Sequence, residues 1–213
     1  MSPERRAAPL LQLNAAVWFN LRAIVDHSAT AALAAPGERA ALASFLAEHG
    51  AVLPPVQARD EAADPMVKLR GFLARPRGIG ASRFSDGSFP IVYMGDDPET
   101  CLAEVAHHLG RALGETGAAK VKTHYFLLAR FVVTGEALDV RKGFPALHRP
   151  GDWVPAQAFG RRAASEGRHG IAFRAVRRKG ADNLGILRKD PVRSGIRVRV
   201  IGLRWDGSGV VQV

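Results

Sequence analysis

The sequence predicts an α+β fold, and two observations support this class. Short apolar runs separated by glycine and charged residues begin near residue 64, which is typical of strands. Helical patterns fall between these runs without the regular strand–helix–strand order of a doubly wound sheet. The predicted strands are Val67–Leu73, Phe89–Met94, His124–Val133, Gly170–Val176, Leu184–Leu187 and Ile196–Leu203. The predicted helices are Pro98–Leu113 and Ala156–Glu166. In the last strand, Ile196, Val198 and Val200 are expected to form one buried face.

The first 60 residues predict an N-terminal helical extension. Apolar residues recur there at three- and four-residue steps, which is the helix period. They are Leu10, Leu11, Leu13, Val17, Trp18, Leu21, Ile24 and Val25. A second helix is expected to begin near Pro36 and to end at Gly50, before Pro54 and Pro55 forbid its continuation. We therefore expect an extension over residues 1–60 and a main domain over residues 64–213.

Composition limits the classes of protein to which the chain can belong. Its 30 Lys and Arg against 20 Asp and Glu give a net charge of +10, which predicts attraction to nucleic acid, an acidic partner or a phosphorylated substrate. Cys101 is the only cysteine, so an intramolecular disulfide and a cysteine-based zinc site are excluded. No signal-peptide pattern is found, nor the roughly 20 apolar residues that a membrane span requires. We expect a cytoplasmic protein without a membrane segment or a metal site.

A basic cluster in the second half of the chain is a candidate anion-binding surface. Its members are Arg161, Arg162, Arg168, Arg174, Arg177, Arg178 and Lys179. It could bind phosphate or nucleic acid, contact an acidic partner, or form a solvated loop. Few aromatic residues interrupt it, and no helix-turn-helix or RNA-binding signature accompanies it. The sequence therefore disfavours direct nucleic-acid binding.

The segment with the clearest candidate chemistry comprises a polar turn, a strand and a helix. The turn begins at Arg83 and the strand reaches Tyr93. Asp97 is a good N-cap for the helix, and Pro98 suits its first position. The buried stripe of this helix is predicted to be Leu102, Val105, Leu109 and Leu113. Glu104 is then expected on the opposite side. Taken singly, none of the three is specific: Glu104 is more often a solvated surface carboxylate, and the same caution applies to Arg83 as a loop arginine and to Tyr93 as a half-buried strand tyrosine.

The spacing of the three residues resembles a known motif. Arg83, Tyr93 ten residues later and Glu104 eleven residues after that stand in the context SRFSDG…IVY…ET…AE. This resembles the central motif of the RES-domain family, and a looser match continues through Ala158–Arg162 and Gly170–Leu187. The resemblance implies a fold like that of ADP-ribosyltransferase toxins. It also implies an enzyme that cleaves NAD+, as its substrate, at the nicotinamide–ribose bond.

The resemblance also implies roles for individual residues. Glu104 would be catalytic, because a fixed carboxylate stabilises the positive charge that develops on the ribose. Arg83 would be catalytic, with a planar guanidinium suited to phosphate oxygens. Tyr93 would bind substrate by stacking on a ring or through its hydroxyl. Asn183 resembles a substrate-binding position that contacts the nicotinamide amide or a ribose hydroxyl, although a turn asparagine is an equal explanation.

One stretch departs from the family pattern. The family usually has a Tyr-Pro-Ser-Val-Arg-like stretch, and this chain has Phe173–Arg177 there, with Ala175 in place of the serine. The missing hydroxyl would make the protein slower, differently specific or inactive. The upstream arginine of the family is ambiguous, since Arg70, Arg75 and Arg77 are all candidates.

The resemblance also bears on partners. Family members are commonly toxins of toxin–antitoxin pairs, so a DNA-binding antitoxin of the Xre type is the expected partner, and a homodimer within such a complex stays open. Two alternatives to the enzyme are a catalytically weak RES-like scaffold that binds an antitoxin-type protein and a basic nucleic-acid-binding module. The acceptor of the ADP-ribosyl group is left open among water, phosphate and protein.

Overall fold

The structure is a computed structural model, and it describes residues 7–22, 64–78, 80–115 and 123–213. In this part of the chain the strands are β1 (Leu10–Arg22), β2 (Val92–Gly95), β3 (Thr123–Asp139), β4 (Gly170–Arg174), β5 (Asp182–Ile186), β6 (Val192–Trp205) and β7 (Val210–Gln212). The α-helices are α1 (Pro65–Leu73), α2 (Pro98–Glu115) and α3 (Val154–Ser165), and a 3-10 helix spans Pro145–His148. The predicted α+β class is confirmed.

The described strands form one sheet that partly closes on itself. Its order is β1-β2-β5-β4-β3-β6-β7, and β1 also pairs with β3. The strands β1, β2, β5, β4 and β3 therefore form a ring, in which only β3 and β4 are parallel. One edge of β3 pairs with β1, while its other edge pairs first with β6 and then with β4. This closure brings the start of β5 beside the end of β2, where the candidate site lies.

Strand β1 corrects part of the predicted N-terminal helical extension. All 13 residues of Leu10–Arg22 pair with β3, so this segment is a strand rather than a helix. Leu13 and Val17 are buried in the main core, and Leu11 and Phe19 pack against it. The strand satisfies the backbone groups through β3 and directs these residues to one face. The second predicted helix, residues 36–50, lies outside the described residues, and the domain boundary near residue 60 stays a prediction.

Helix α1 corrects a second prediction, since Val67–Leu73 was expected to be a strand. Asp64 precedes the helix, and its Oδ1 accepts a hydrogen bond from the Met66 amide at 2.7 Å. Pro65 occupies the first turn, where its missing N–H costs nothing. A short apolar run fits either a strand or a buried helix segment, and here the cap at Asp64 indicates the helix.

The burial of β6 also differs from the prediction. Ile196 and Val198 were expected in a buried face, yet they are 50% and 45% exposed. The buried apolar side chains of β6 are instead Val192, Ile201, Leu203 and Trp205. Of these, Ile201 and Leu203 pack with apolar residues of α2, among them Val105. The position of α2 therefore decides which face of the strand is covered. The remaining predicted strands and helices correspond to β2–β6, α2 and α3 with small shifts at their ends.

A second core cluster underlies the candidate site. It joins the Arg83 loop, defined here as residues 80–90, to helix α3 and strand β4. Its central member is Phe84, which is fully buried, with its ring centroid 4.9 Å from that of Phe173 and 6.5 Å from that of Phe159. Cys101 is also buried, as expected for a core residue. None of the described helices is long and apolar enough to cross a membrane.

Candidate active site

The candidate site lies between the start of β5, helix α2 and the Arg83 loop. Asn183 stands opposite Gly95 in the pairing of β5 with β2, and α2 begins shortly after Gly95. This arrangement places Glu104 over Asn183, whose Nδ2 donates a hydrogen bond to Oε1 of Glu104 at 3.3 Å. Asn183 is buried, whereas the Glu104 side chain keeps 28% of its surface exposed. The structure thus brings two of the predicted site residues into direct contact.

The first turn of α2 is held closely against β2. The Thr100 amide donates to Oδ1 of Asp97 at 2.7 Å, which confirms the predicted N-cap. A Cβ at Gly95 would lie 2.8 Å from the Cys101 backbone nitrogen, so only glycine lets the strand end this close to the helix. These contacts fix α2 relative to β2 and β5, and with it the position of Glu104.

Internal hydrogen bonds shape the Arg83 loop. The Ser82 amide donates to the Ser85 carbonyl at 2.7 Å. The buried Ser85 hydroxyl donates to the Phe89 carbonyl at 2.8 Å and accepts from the Gly87 amide at 3.1 Å. Since the loop uses the only proton of this hydroxyl and buries the side chain, Ser85 cannot donate a hydrogen bond in place of the hydroxyl that Ala175 lacks.

Helix α3 holds the same loop from one side. Gln157 donates from Nε2 to the Ser82 carbonyl at 2.9 Å. A Cβ at Gly160 would lie 1.8 Å from the carbonyl oxygen of Phe84, so the loop backbone occupies the space that a side chain would need. Glycine at position 160 therefore allows the loop to lie directly on the helix.

Tyr93 holds the loop from the sheet. Its hydroxyl accepts a hydrogen bond from the Phe84 amide at 2.9 Å and shares another with the Ser82 hydroxyl at 2.9 Å. Its ring packs edge-to-face on Phe173, with centroids 5.9 Å apart. Burial raises the pKa of Tyr93 to about 12, so the phenol is neutral at physiological pH. These contacts position the residue beside Arg83, and its predicted role in binding substrate stays a prediction.

Arg83 is half-buried and is held by backbone carbonyls. Its Nη1 donates to the carbonyl oxygens of Leu147 and Arg149, each at 3.2 Å. Burial lowers the pKa of Arg83 and Arg177 acts in the same direction, whereas Glu104 raises it. Within the described residues no carboxylate forms an ion pair with Arg83, and both of its described side-chain hydrogen bonds come from Nη1. Among the described contacts, no hydrogen bond uses Nε or Nη2 of Arg83, and these nitrogens can donate to a ligand.

His148 belongs to the site although the sequence analysis did not select it. The Arg174 amide donates to Nε2 of His148 at 3.3 Å. The ring proton of the neutral imidazole therefore lies on Nδ1, which donates to the Phe144 carbonyl at 3.0 Å. Burial lowers the pKa of His148 and the cations Arg174 and Arg83 lower it further, and together they outweigh the hydrogen bond to the Phe144 carbonyl, which raises it. No local sequence pattern indicated this residue, because its partners are distant in the chain.

Most of the basic cluster is neutralised by carboxylates. The ion pairs are Arg161 with Asp86, Arg162 and Arg168 with Glu166, and Arg178 with Asp97. In the described part of the chain no carboxylate pairs with Arg174 or Arg177, which flank Ala175. Within this cluster, the positive charge that no described carboxylate neutralises therefore lies at and just after the end of β4.

The upstream arginines do not join the site through any described contact. Arg70, Arg75 and Arg77 are all exposed, and the Arg75 guanidinium lies over the Phe72 ring at 5.3 Å from its centroid. Among the residues that the structure describes, no group of three or more His, Cys, Asp or Glu side chains is arranged to hold a metal ion.

Comparison with known proteins identifies the family of the chain. The model of the RES domain matches residues 54–206, and this range includes Arg83, Tyr93, Glu104 and Asn183. The chain belongs to the RES domain family. No curated protein matches it. Among solved structures, a chain of the M. tuberculosis MbcT–MbcA toxin–antitoxin complex is similar, with 12% identity over 89% of this chain and 87% of that chain and a TM-score of 0.47.

Ala175 stands where the resemblance to the family motif leads us to expect a serine. It is half-buried at the end of β4, and its amide donates to the Ala181 carbonyl at 2.9 Å. This bond closes the loop between β4 and β5, and the ion pair between Arg178 and Asp97 ties the loop to α2. The backbone at this position is therefore well ordered by its neighbours even though the serine hydroxyl is missing.

Proposed function

We propose that this RES domain is a toxin-type enzyme that cleaves NAD+ at the bond between nicotinamide and ribose. The supporting observation is the relation between Arg83 and Glu104. Burial lowers the pKa of the Arg83 guanidinium and Glu104 acts in the opposite direction, yet the two side chains form no ion pair among the described contacts. A separated cation and carboxylate suit a substrate with a pyrophosphate at one point and a developing positive charge at another.

In the proposed step, the bond between the ribose C1′ and the nicotinamide nitrogen breaks. Its electron pair leaves with nicotinamide, and positive charge develops on the ribose. The Glu104 carboxylate stabilises this charge, an effect worth roughly a hundredfold or more in rate for one well-placed group. Water, phosphate or a protein side chain then forms the new bond at C1′ and gives up a proton where it carries one. Asn183 restricts the carboxylate to one orientation.

The remaining site residues would bind the substrate or hold the groups that do. Arg83 would contact the pyrophosphate through Nε and Nη2, since its Nη1 is held by the Leu147 and Arg149 carbonyls. Tyr93 would keep the Arg83 loop in place through its hydroxyl, and its half-buried ring could also contact the nicotinamide. The reaction as proposed uses no metal ion.

The proposal includes a protein partner. Membership in the RES family implies an antitoxin of the Xre type, which binds DNA and neutralises the toxin in the cytoplasm. The unpaired charge of Arg174 and Arg177 would attract an acidic segment of such a partner. Direct binding of nucleic acid is less well supported, because most other arginines of the basic cluster are already paired with carboxylates.

A second candidate function is a catalytically weak scaffold that binds a regulatory protein. The observation in its favour is Ala175, where the family has serine. Ser85 lies in the Arg83 loop, but its hydroxyl is hydrogen-bonded to the Phe89 carbonyl and the Gly87 amide. Substitution of Ala175 by serine would restore activity if the missing hydroxyl were the reason for a weak enzyme.

The deciding experiment follows the loss of NAD+ with purified protein, in the presence and in the absence of inorganic phosphate. Glu104→Gln and Arg83→Lys should each abolish most of the loss. Glu99→Gln serves as the matched control, because Glu99 is an exposed carboxylate on the same helix. A dependence on phosphate would identify phosphate as the acceptor. Absence of NAD+ loss with folded wild-type protein would favour the scaffold, and Ala175→Ser would then be measured.

A further inference from the structure

His148 replaces a strand partner at the end of β4. The pairing of β4 with β3 ends at Ala172, which lies opposite Asp139 and accepts from the Val140 amide at 2.9 Å. Because backbone groups alternate between the two edges of a strand, the next N–H on this edge belongs to Arg174. That N–H donates to Nε2 of His148. The histidine side chain therefore satisfies a backbone donor that β3 no longer reaches.

The same histidine lies between the two carbonyls that hold Arg83. Leu147 and Arg149 flank it in sequence, and both accept from Nη1 of Arg83. On its other side, Nδ1 donates to the Phe144 carbonyl and so closes the 3-10 helix on itself. One imidazole thus connects the binding site of the Arg83 guanidinium to the end of β4, next to Ala175.

We propose that His148 is a positioning residue, which in its neutral form holds the Leu147 and Arg149 carbonyls against β4 and so directs Arg83 toward the substrate. The identity of the substrate as NAD+ rests on the proposed function. In this positioning role His148 does not contact the reacting atoms. Its consequence is that acid conditions, by protonating this one ring, weaken substrate binding.

The surroundings of the ring favour the neutral form. Burial disfavours the charged imidazolium, and the charged groups that act on it are Arg174 from β4 and Arg83 from its loop, both cations. No described carboxylate contributes to the shift, so the pKa of His148 lies below its usual value of about 6.5. Protonation would turn Nε2 into a donor that faces the donor N–H of Arg174, and the hydrogen bond would be lost.

Two substitutions separate hydrogen bonding from protonation. His148→Gln keeps a carbonyl acceptor for the Arg174 amide but cannot be protonated, so it should retain the KM for NAD+ and extend activity to lower pH. His148→Leu removes the acceptor and should raise the KM about threefold to tenfold, with a smaller effect on kcat, as expected for the loss of one hydrogen bond. His169→Gln is the control, because Nδ1 of His169 accepts a hydrogen bond from the Glu136 amide at the opposite end of β4.

The backbone donor gives an independent test. Arg174→Pro removes the N–H and should raise the KM as His148→Leu does, while Arg174→Ala keeps the N–H and should leave the hydrogen bond intact. Combining Arg174→Pro with His148→Leu should add little to either change alone, because both remove the same bond. Additive effects, or an unchanged KM in His148→Leu, would overturn the inference.

NMR separates this inference from the proposed function. In the wild type, the Arg174 amide resonance should shift with pH together with the His148 ring, and His148→Gln should abolish this shift. That result would support the positioning role even if NAD+ is not consumed, in which case only the proposed function fails. An Arg174 amide that does not follow the ring would overturn the inference even if NAD+ cleavage is found.

Discussion

Asn183 donates a hydrogen bond to Glu104 at 3.3 Å, although the two residues are 79 positions apart in the chain. Asn183 is buried on β5, so its amide has little access to water and depends on protein partners. Glu104 is only partly buried and projects from α2 above it. The pairing of β2 with β5 creates this contact, and it gives the carboxylate a fixed orientation in an otherwise open site.

We predict that Asn183→Asp will impair NAD+ cleavage through charge repulsion. A second carboxylate beside Glu104 would raise the pKa of one member of the pair, because like charges disfavour ionisation. At neutral pH we expect activity to fall about tenfold and the acid limb of the pH profile to move upward by about one unit. The measurement is initial rate from pH 5 to pH 9. Asn14→Asp, at an exposed position of β1, is the control, and equal profiles for both variants would contradict the prediction.

We predict that Tyr93→Phe will destabilise the protein more than Ser82→Ala. Removal of the hydroxyl leaves the Phe84 amide without its acceptor, and a part-buried unsatisfied donor costs about 1–3 kcal/mol. Ser82→Ala removes only the second partner of the same hydroxyl, for about 0.5–1.5 kcal/mol. Urea unfolding measures both. The role assigned to Tyr93 is wrong if the two variants lose the same free energy of unfolding.

Gly160→Ala should displace the Arg83 loop from α3. The added Cβ would meet the Phe84 carbonyl oxygen at 1.8 Å, and since the Cβ is attached directly to the helix backbone and the oxygen belongs to the loop backbone, the two cannot move apart cheaply. We expect a loss of about 3 kcal/mol, at the upper end of the range for overpacking, together with a lower NAD+ cleavage rate. Gly71→Ala on α1 is the matched control, because nothing lies within 4 Å of its added Cβ. That control should gain about 0.5–1 kcal/mol from helix propensity.

The start of α2 should carry a pH-dependent contribution to stability. Burial raises the pKa of Asp97, but hydrogen bonds from the Thr100 amide and Arg178 outweigh this, so the pKa is lowered overall. A lowered pKa means that the carboxylate stabilises the fold above its unfolded pKa of about 3.9 and that this contribution is lost as pH falls through the folded value. Asp97→Asn should therefore be destabilising at pH 7 and progressively less destabilising as pH falls below about 4.

Two variants at this position separate the charge from the cap. Asp97→Asn keeps an oxygen for the Thr100 amide, whereas Asp97→Ala removes it and should cost about 1 kcal/mol more at every pH. Thermal unfolding between pH 3 and pH 7 measures both differences. A gap between wild type and Asp97→Asn that does not narrow toward pH 3 would show that the ion pair with Arg178 contributes nothing.

The sequence by itself determined the features that depend on short-range contacts. Asp97 and Pro98 begin α2 through a cap and a fixed φ angle, both of which act within one turn. The order of turn, strand and helix places Arg83, Tyr93 and Glu104 in one continuous unit, so their spacing could indicate the family. These features could be predicted because the residues responsible for them lie close together in the chain.

Only the tertiary structure decided the features that depend on distant partners. The apolar spacing in Leu10–Arg22 fits a helix, yet alternation of Leu11, Leu13, Val17 and Phe19 also fits a strand, and pairing with β3 decides for the strand. Ile196 is exposed because α2 covers the other part of β6. The contact of Asn183 with Glu104 and that of His148 with Arg174 join segments remote in sequence. Such contacts exist only once strand pairing has brought the segments together, so no local pattern records them.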